Sequence, residues 1–443
     1  MNVVTRIAPS PTGRMHIGTA RVALFNYLWA RHNGGKFILR IEDTDPARDK
    51  PEFEADIREN IAWLGIKEDE FHRQSENKSK HADAIQSLVA KGSAYVSREP
   101  AKDDPTRAVE VVRFKNPNTT VTFRDELRGD IRVHTADLGD FVIARSLTDP
   151  IHHLAVVVDD ALQGVTLAMR GEDLLPNTPR QILIQDALGL PRPQYLHLPL
   201  ILAPDRTKLS KRRHATSVGD FKTRGYLSGG LVNFLAFLGW NPGGEKELYT
   251  MDELIADFSI EKIQKSGAIF NEEKLNWLNR AHMLRMEPQA FWEYAQDFLT
   301  SETQSGLKKG WEQVAPIMRE RASTFGDVRD ADAAGEYAYF YQPPALAPQS
   351  LLWKQESKEA TKERLESVLS LMREVLGSQW TGESVKNIVW PYAERVGRGQ
   401  VLWPMRVALS GREKSPDPFV IAGIIGKDET ENRIAAALGA LAV

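Results

Sequence analysis

Two stretches of this chain carry residues suited to phosphate. Ser10-Pro11-Thr12-Gly13-Arg14-Met15-His16-Ile17-Gly18-Thr19 lies between an apolar stretch and a helical pattern. Gly13 and Gly18 let the backbone approach a ligand closely, and His16 can donate a hydrogen bond or a positive charge to phosphate oxygens without acting as a nucleophile. Arg206-Thr207-Lys208-Leu209-Ser210-Lys211-Arg212-Arg213-His214 concentrates basic residues. On a loop that closes over a triphosphate, such lysines stabilise charge building up on the bridging and leaving oxygens. Taken singly, the first stretch also fits a plain strand-to-helix turn with a surface histidine, and the second a solvated basic turn.

The elements around them indicate how these residues are held. Val3 to Ala8 reads as a short buried strand, Thr19 to His32 as a helix, and Lys36 to Glu42 as a second strand ending in Glu42-Asp43-Thr44-Asp45. That is a βαβ unit of the doubly wound kind, whose ligands bind at the carboxyl edge of the sheet and whose helix amino terminus offers free N–H groups to phosphate. Helical patterns follow at 51–64 and 79–91. Between Ser97 and Pro150 polar and β-branched residues dominate, with strand-like stretches at Val109–Phe114, Thr119–Phe123 and Asp140–Ala144, which predicts an inserted, partly antiparallel module separating two halves of one sheet.

Leu154-Ala155-Val156-Val157-Val158 is a continuous apolar run ending at Asp159-Asp160, and it predicts a strand buried on both faces of a parallel sheet. Val165–Met169 and the stretch around Leu196–Leu202 read similarly. From Phe221 onward helical signals take over, as at Leu231–Leu238, Met251–Phe258, Glu272–Leu278, Glu359–Val375 and Arg433–Leu441. The expected fold class is α/β, a doubly wound parallel-sheet (Rossmann-type) domain with an α+β insertion, followed by all-α domains.

The bulk composition narrows the function classes. With 443 residues, 42% hydrophobic and 26% charged, the chain has the make-up of an ordinary globular protein of several domains. It has no cysteine, which removes disulfides, thiol nucleophiles and the usual structural zinc sites. Met1 to Pro11 has no apolar signal core, and no apolar run reaches the roughly 18 residues of a membrane span. A soluble, cytoplasmic protein is expected. A formal net charge of -3 argues against holding nucleic acid by global electrostatics but leaves room for a local basic track.

The His-x-Gly loop early in the chain and the Lys-Leu-Ser-Lys-Arg loop after the second half-sheet, in this order, resemble the two signatures of class I aminoacyl-tRNA synthetases. Within that class the chain is similar to the glutamyl-tRNA synthetases of the bacterial type. The similarity runs through Arg6–Arg21, Phe37–Asp45, His153–Asp160, Arg170–Gln181, Lys208–Arg212, Gly225–Trp240, Lys274–Asn279 and Leu402–Gly411. The resemblance implies that Arg6, Ala8, Ser10, Glu42, His152, Val156 and Arg170 hold the amino acid. A guanidinium suits a substrate carboxylate, and an acidic group such as Glu42 suits an α-ammonium.

By the same comparison His16, Gly18, Lys208 and Lys211 are catalytic. Asp173 and Ser210 join His16, Gly18, Lys208 and Lys211 at the ATP, and Lys211 most directly stabilises the α-phosphate transition state. Glu172 falls near the nucleotide end. This chain has His152 where family members commonly have tyrosine, which alters the wall of the amino-acid pocket. Its insertion is short and cysteine-free, so no zinc and no protein metal site are expected, while Mg2+ accompanies ATP.

The implied organisation is a catalytic first half at 1–90, an acceptor-end-binding insertion at 91–152, a catalytic second half at 153–207, a helical stem-contact domain with the Lys-Leu-Ser-Lys-Arg loop at 208–288, and an all-α anticodon-binding region at 289–443. Softer boundary signals lie at Pro343–Pro348 and near Met286–Gln289. Trp292, Trp311, Trp353, Trp380, Trp390 and Trp403, of the ten tryptophans, fall in the last region, where helical spacing favours packing over base stacking. The implied partners are L-glutamate and tRNA(Glu), with a monomer expected. Four alternatives are weighed: a relaxed enzyme that also charges tRNA(Gln), a non-catalytic RNA-binding paralogue, a truncated relative that modifies a tRNA base with glutamate, against which the full helical half speaks, and another adenylyl-transferring enzyme of the same fold.

Overall fold

The computed structural model describes every residue except 1, 46, 102–103, 105, 208, 210–215 and 443. The chain divides into two compact units, residues 1–282 and 283–443. No helix among the described residues is long and apolar enough to cross a membrane.

In the first unit the opening βαβ motif forms as its pattern predicts. Strand β1 (Val4–Ile7) leads through the His16 loop into α1 (Ile17–His32), and β2 (Lys36–Ile41) returns parallel to β1. After α2 (Pro51–Trp63), β3 (Glu70–Arg73) adds parallel to β2. The region between α3 (Lys78–Ala90) and α4 (His152–Leu162) holds β4 (Ala94–Pro100), β5 (Ala108–Phe114), β6 (Thr120–Asp125), β7 (Gly129–His134), β8 (Phe141–Ser146) and β9 (Asp149–Pro150). Strands β4, β5, β8 and β9 make one antiparallel sheet.

The inserted strands do more than separate two halves. β10 (Leu167–Gly171) and, beyond helix α5 (Thr178–Leu188), β11 (Gln194–Leu198) are parallel, and the β6–β7 hairpin extends their ladder, with Asp125 facing Tyr195. The two parallel ladders meet where the Thr166 N–H donates to the Val4 carbonyl at 2.9 Å. Buried Asn26 of α1 ties them again. Its Nδ2 donates to the Met169 carbonyl at 3.0 Å, and its own carbonyl accepts the Thr5 hydroxyl at 2.8 Å.

One expectation is overturned. Leu154–Val158 is not a strand but part of α4. An apolar run buried on every side reads alike in helix and strand, and only its length decides. Here the helix begins at His152, before the run, and continues through Asp159 and Asp160 to Leu162. Its amino terminus carries no capping side chain that would have marked it, because Ile151 occupies the cap. Leu154, Val157 and Val158 pack into a core shared with β5 and α5, while Asp159 accepts from Gln74, Asn77 and His81.

A second, larger apolar cluster runs from Ile7 through Leu24 and Phe37 to Leu231, Phe258 and Leu278. It seats the helix Ser228–Phe237 against α1. The second unit is helical, from Pro288–Gln296 to Lys427–Leu441. Four of its tryptophans pack in pairs: Trp292 stacks on Trp311 at 5.6 Å, and Trp353 meets Trp403 at 5.1 Å.

Candidate active site

A cavity of about 440 Å³ opens at the carboxyl ends of β1 and β10. Arg6, Ala8, His16, Gly18 and Glu42 line it from the first half of the unit, and His152, Val156, Arg170 and Asp173 from the second. The tertiary structure thus gathers these sequence-predicted residues at one site. Ser10 is exposed and lies outside the lining. Lys208, Ser210 and Lys211 lie outside the described residues. Their neighbour Leu209 is buried, lines the cavity and donates its N–H to the Ile201 carbonyl at 3.2 Å.

The His16 loop is fixed from several sides. The Met15 N–H donates to Asp56 of α2 at 2.7 Å. A short antiparallel bridge joins His16 to Ser217: the Ile17 N–H donates to the Thr216 carbonyl and the Val218 N–H to the Met15 carbonyl, each at 2.9 Å. His16 caps α1, with Nδ1 accepting the Gly18 N–H at 3.0 Å. A neutral imidazole that accepts at Nδ1 carries its proton on Nε2, so the ring can donate from that atom. Gly18 belongs here for a steric reason: a Cβ at that position would stand 3.3 Å from Nδ1.

At the other end, buried charges are interlocked. Asp160 receives a two-pronged bond from Arg6, Nε to Oδ1 and Nη2 to Oδ2, both at 3.1 Å, and Arg40 Nη1 donates to Oδ1 at 2.8 Å. Burial alone would push the Asp160 carboxyl up, but Arg6 and Arg40 outweigh it and hold the group at about 2. Arg40 also reaches Glu42 at 3.3 Å, and His152 Nδ1 lies 3.1 Å from the other Glu42 oxygen.

Arg170 differs from both other guanidiniums. Its Nε donates to His197 at 3.1 Å and its Nη2 to the Thr178 hydroxyl at 2.8 Å. Among the described residues no carboxylate forms a salt bridge with it. Burial, and next the charge of Arg6, lower its pKa to about 10. The Arg170 guanidinium also lies over the Tyr195 ring, 5.8 Å from its centroid. Nearby, Glu172 accepts the Leu200 N–H at 2.8 Å and pairs with Arg128, while Asp173 faces the cavity.

Sequence reasoning passed over Arg40, Asp160 and His197. A charged residue inside the apolar strand Phe37–Ile41 was a legible signal for Arg40, and the acidic end of the Leu154–Val158 run was one for Asp160. Nothing local marked His197. Among the described residues no group of three or more His, Asp or Glu side chains is placed to hold a metal ion.

Residues 2–103 and 101–277 match the family described as tRNA synthetases class I (E and Q), catalytic domain, and residues 290–438 match an anticodon binding domain. The fold and the site therefore define a class I tRNA synthetase. The glutamate–tRNA ligase of Aquifex aeolicus is 38% identical over 98% of this chain and 98% of that protein. That of Carboxydothermus hydrogenoformans is 36% identical over 98% and 99%. A crystal structure of a glutamate tRNA ligase from Elizabethkingia meningosepticum, in complex with its amino acid, superposes with a TM-score of 0.86 at 28% identity and covers 100% of both chains. This chain belongs to the glutamate–tRNA ligase family.

Proposed function

We propose that the protein ligates L-glutamate to tRNA(Glu) at the expense of ATP, through a glutamyl-adenylate. The observation that carries the substrate is the pairing of charges at the inner end of the cavity. Arg6 and Arg40 are buried in contact with Asp160, and Arg40 also with Glu42, whereas Arg170 is buried with no carboxylate in salt-bridge contact among the described residues. Glutamate at neutral pH brings one net negative charge, and glutamine brings none. A neutral side chain would leave Arg170 buried and uncompensated, a selection against glutamine that rests on desolvation as much as on attraction.

In this reading Arg170 takes the side-chain carboxylate, Glu42 takes the α-ammonium, and Arg6, Ala8, His152 and Val156 complete the pocket. The glutamate carboxylate attacks the α-phosphorus of ATP in line and pyrophosphate leaves, driven by positioning and electrostatics without a protein nucleophile. His16 donates to a phosphate oxygen from Nε2, and the Gly18 backbone allows the nucleotide to approach. Lys208 and Lys211, with Ser210, stabilise the charge developing on the phosphates, and Asp173 serves the nucleotide end. Magnesium arrives with the triphosphate, as suits an ion that keeps its waters and binds mainly through substrate phosphates. A hydroxyl of the terminal tRNA ribose, the 2′-OH, then attacks the acyl carbon of the mixed anhydride, and AMP leaves as the acyl–phosphate bond breaks.

The test is aminoacylation with labelled glutamate and ATP on purified tRNA(Glu) and tRNA(Gln), with Lys211→Ala as the control. Charging of tRNA(Glu) alone is the expected result. Charging of both identifies a non-discriminating enzyme, and charging of neither overturns the catalytic reading.

A further inference from the structure

A buried guanidinium can receive a carboxylate repeatedly in one geometry only if its other N–H groups are held by acceptors that cannot neutralise it. Arg170 has two such acceptors, and one of them is set by the insertion. His197 is fully buried, with Nε2 facing Arg170 Nε at 3.1 Å and Nδ1 facing Asp125 Oδ2 at 2.7 Å. Arginine can only donate, so Nε2 must be the bare nitrogen and the proton must sit on Nδ1. The Thr178 hydroxyl accepts from Arg170 Nη2 at 2.8 Å and lies 3.2 Å from the same Nε2, so its hydrogen also points at that lone pair.

Asp125 is equally constrained. Its Oδ1 accepts the Leu127 and Arg128 N–H groups at 3.0 and 2.9 Å, and its Oδ2 accepts the His197 N–H at 3.1 Å as well as the imidazole. The carboxylate therefore cannot turn away. Asp125 ends β6 and is the residue through which the inserted hairpin pairs with β11 at Tyr195. Insertion and amino-acid pocket thus share one hydrogen-bonded chain.

We infer that His197, its tautomer set by Asp125, is a positioning residue that aims the Arg170 guanidinium at the substrate carboxylate. The inference rests on the reading that Arg170 holds the glutamate side chain. The imidazole stays neutral in this role, in keeping with its lowered pKa, for which burial outweighs the opposing pull of Asp125. A protonated ring would set two donors against each other at Nε2.

The test uses the full chain and two side chains that each mimic one half of the imidazole. His197→Gln keeps an acceptor near the Nε2 position, whereas His197→Asn keeps the donor toward Asp125 and removes the acceptor for Arg170. The expected result is a KM for glutamate raised about ten-fold or more in His197→Asn, with KM for ATP and kcat within about three-fold, and substantial recovery in His197→Gln. Equal effects of the two, or an unchanged KM for glutamate in His197→Asn, overturn the inference.

Nitrogen chemical shifts of the histidine rings in the unsubstituted protein give a second reading that does not depend on either variant folding. A neutral His197 protonated at Nδ1 is expected, and protonation at Nε2 overturns the relay. Asp125→Asn supplies the matching perturbation. The Leu127 and Arg128 N–H groups keep the amide oxygen at the Oδ1 position, so the amide nitrogen turns to His197 and reverses its tautomer. Arg170→Lys tests the underlying reading separately: an unchanged KM for glutamate there refutes Arg170 as the substrate's partner, while the ring shifts still judge the relay itself.

Discussion

His152 Nδ1 lies 3.1 Å from a carboxylate oxygen of Glu42, with the Glu42 side chain 6% exposed and His152 41% exposed. Burial pushes the Glu42 carboxyl up, but His152, Arg40 and Arg6 outweigh it and hold the pKa below its ordinary value. His152→Phe removes one of these partners, so the Glu42 pKa is expected to rise. If ionised Glu42 holds the α-ammonium, the acid limb of kcat/KM for glutamate then moves to higher pH, while KM for glutamate near neutrality changes little. Pyrophosphate-exchange kinetics against pH provide the check, and an acid limb that stays in place refutes the role assigned to Glu42.

Asp160 is the common partner of Arg6 and Arg40. Asp160→Asn takes the carboxylate from buried Arg6 and leaves Arg40 only its longer contact to Glu42, and a loss of about 3–5 kcal/mol in unfolding free energy is expected. The pH dependence has a definite sign. The folded pKa, about 2, lies below that of an exposed aspartate, so this stabilisation is full above the unfolded pKa near 3.9 and disappears as pH falls through the folded value. Urea unfolding at pH 7 reads the loss, and a change below about 1 kcal/mol would contradict the ion-pair account.

His16 caps α1, and in the proposed mechanism it also donates to phosphate, two duties that substitution can separate. Asparagine is a good N-cap, so His16→Asn is expected to stay within about 0.5 kcal/mol of the parent in stability while adenylate formation falls about a hundred-fold for want of the Nε2–H donor. Gly18→Ala presses a methyl group on the His16 ring from 3.3 Å and is expected to cost stability, about 1 kcal/mol, together with rate. Single-turnover adenylation beside thermal unfolding distinguishes the two. Full activity of His16→Asn would remove His16 from the chemistry.

Burial, helped by the charges of His152, Arg180 and Arg170, lowers the His153 pKa to about 4. The unfolded chain therefore binds this proton first, near pH 6.5, and the folded chain only near 4. Stability from this group is complete above about pH 6.5 and is lost as pH falls toward 4. His153→Gln is expected to narrow the gap between melting temperatures at pH 7.5 and pH 5 by a few degrees, as scanning calorimetry would show. An unchanged gap would mean that His153 does not contribute to the acid sensitivity.

Local signals carried much of this protein. Glycines beside His16, the apolar run in Phe37–Ile41 and the turn residues around them sufficed for the opening βαβ unit, because its three elements follow one another in sequence and each carries its own pattern. The same residue types, read with the basic stretch at 206–214, indicated phosphate chemistry and a family. What local pattern could not decide was α4. Leu154–Val158 is apolar at every position, and only packing between the β5 core and the cavity makes it a helix.

The balance of the pocket also belongs to the tertiary structure. Arg6, Arg40, Glu42, Asp160 and Arg170 come from four separate elements and a strand end, and no spacing reveals that Asp160 serves two guanidiniums while Arg170 meets no carboxylate among the described residues. Electrostatic character in a buried site depends on distances of a few ångströms between groups far apart in sequence. The sequence by itself determined which chemical groups the chain owns. The fold decided which of them pair with one another and which buried guanidinium has no carboxylate in contact among the described residues.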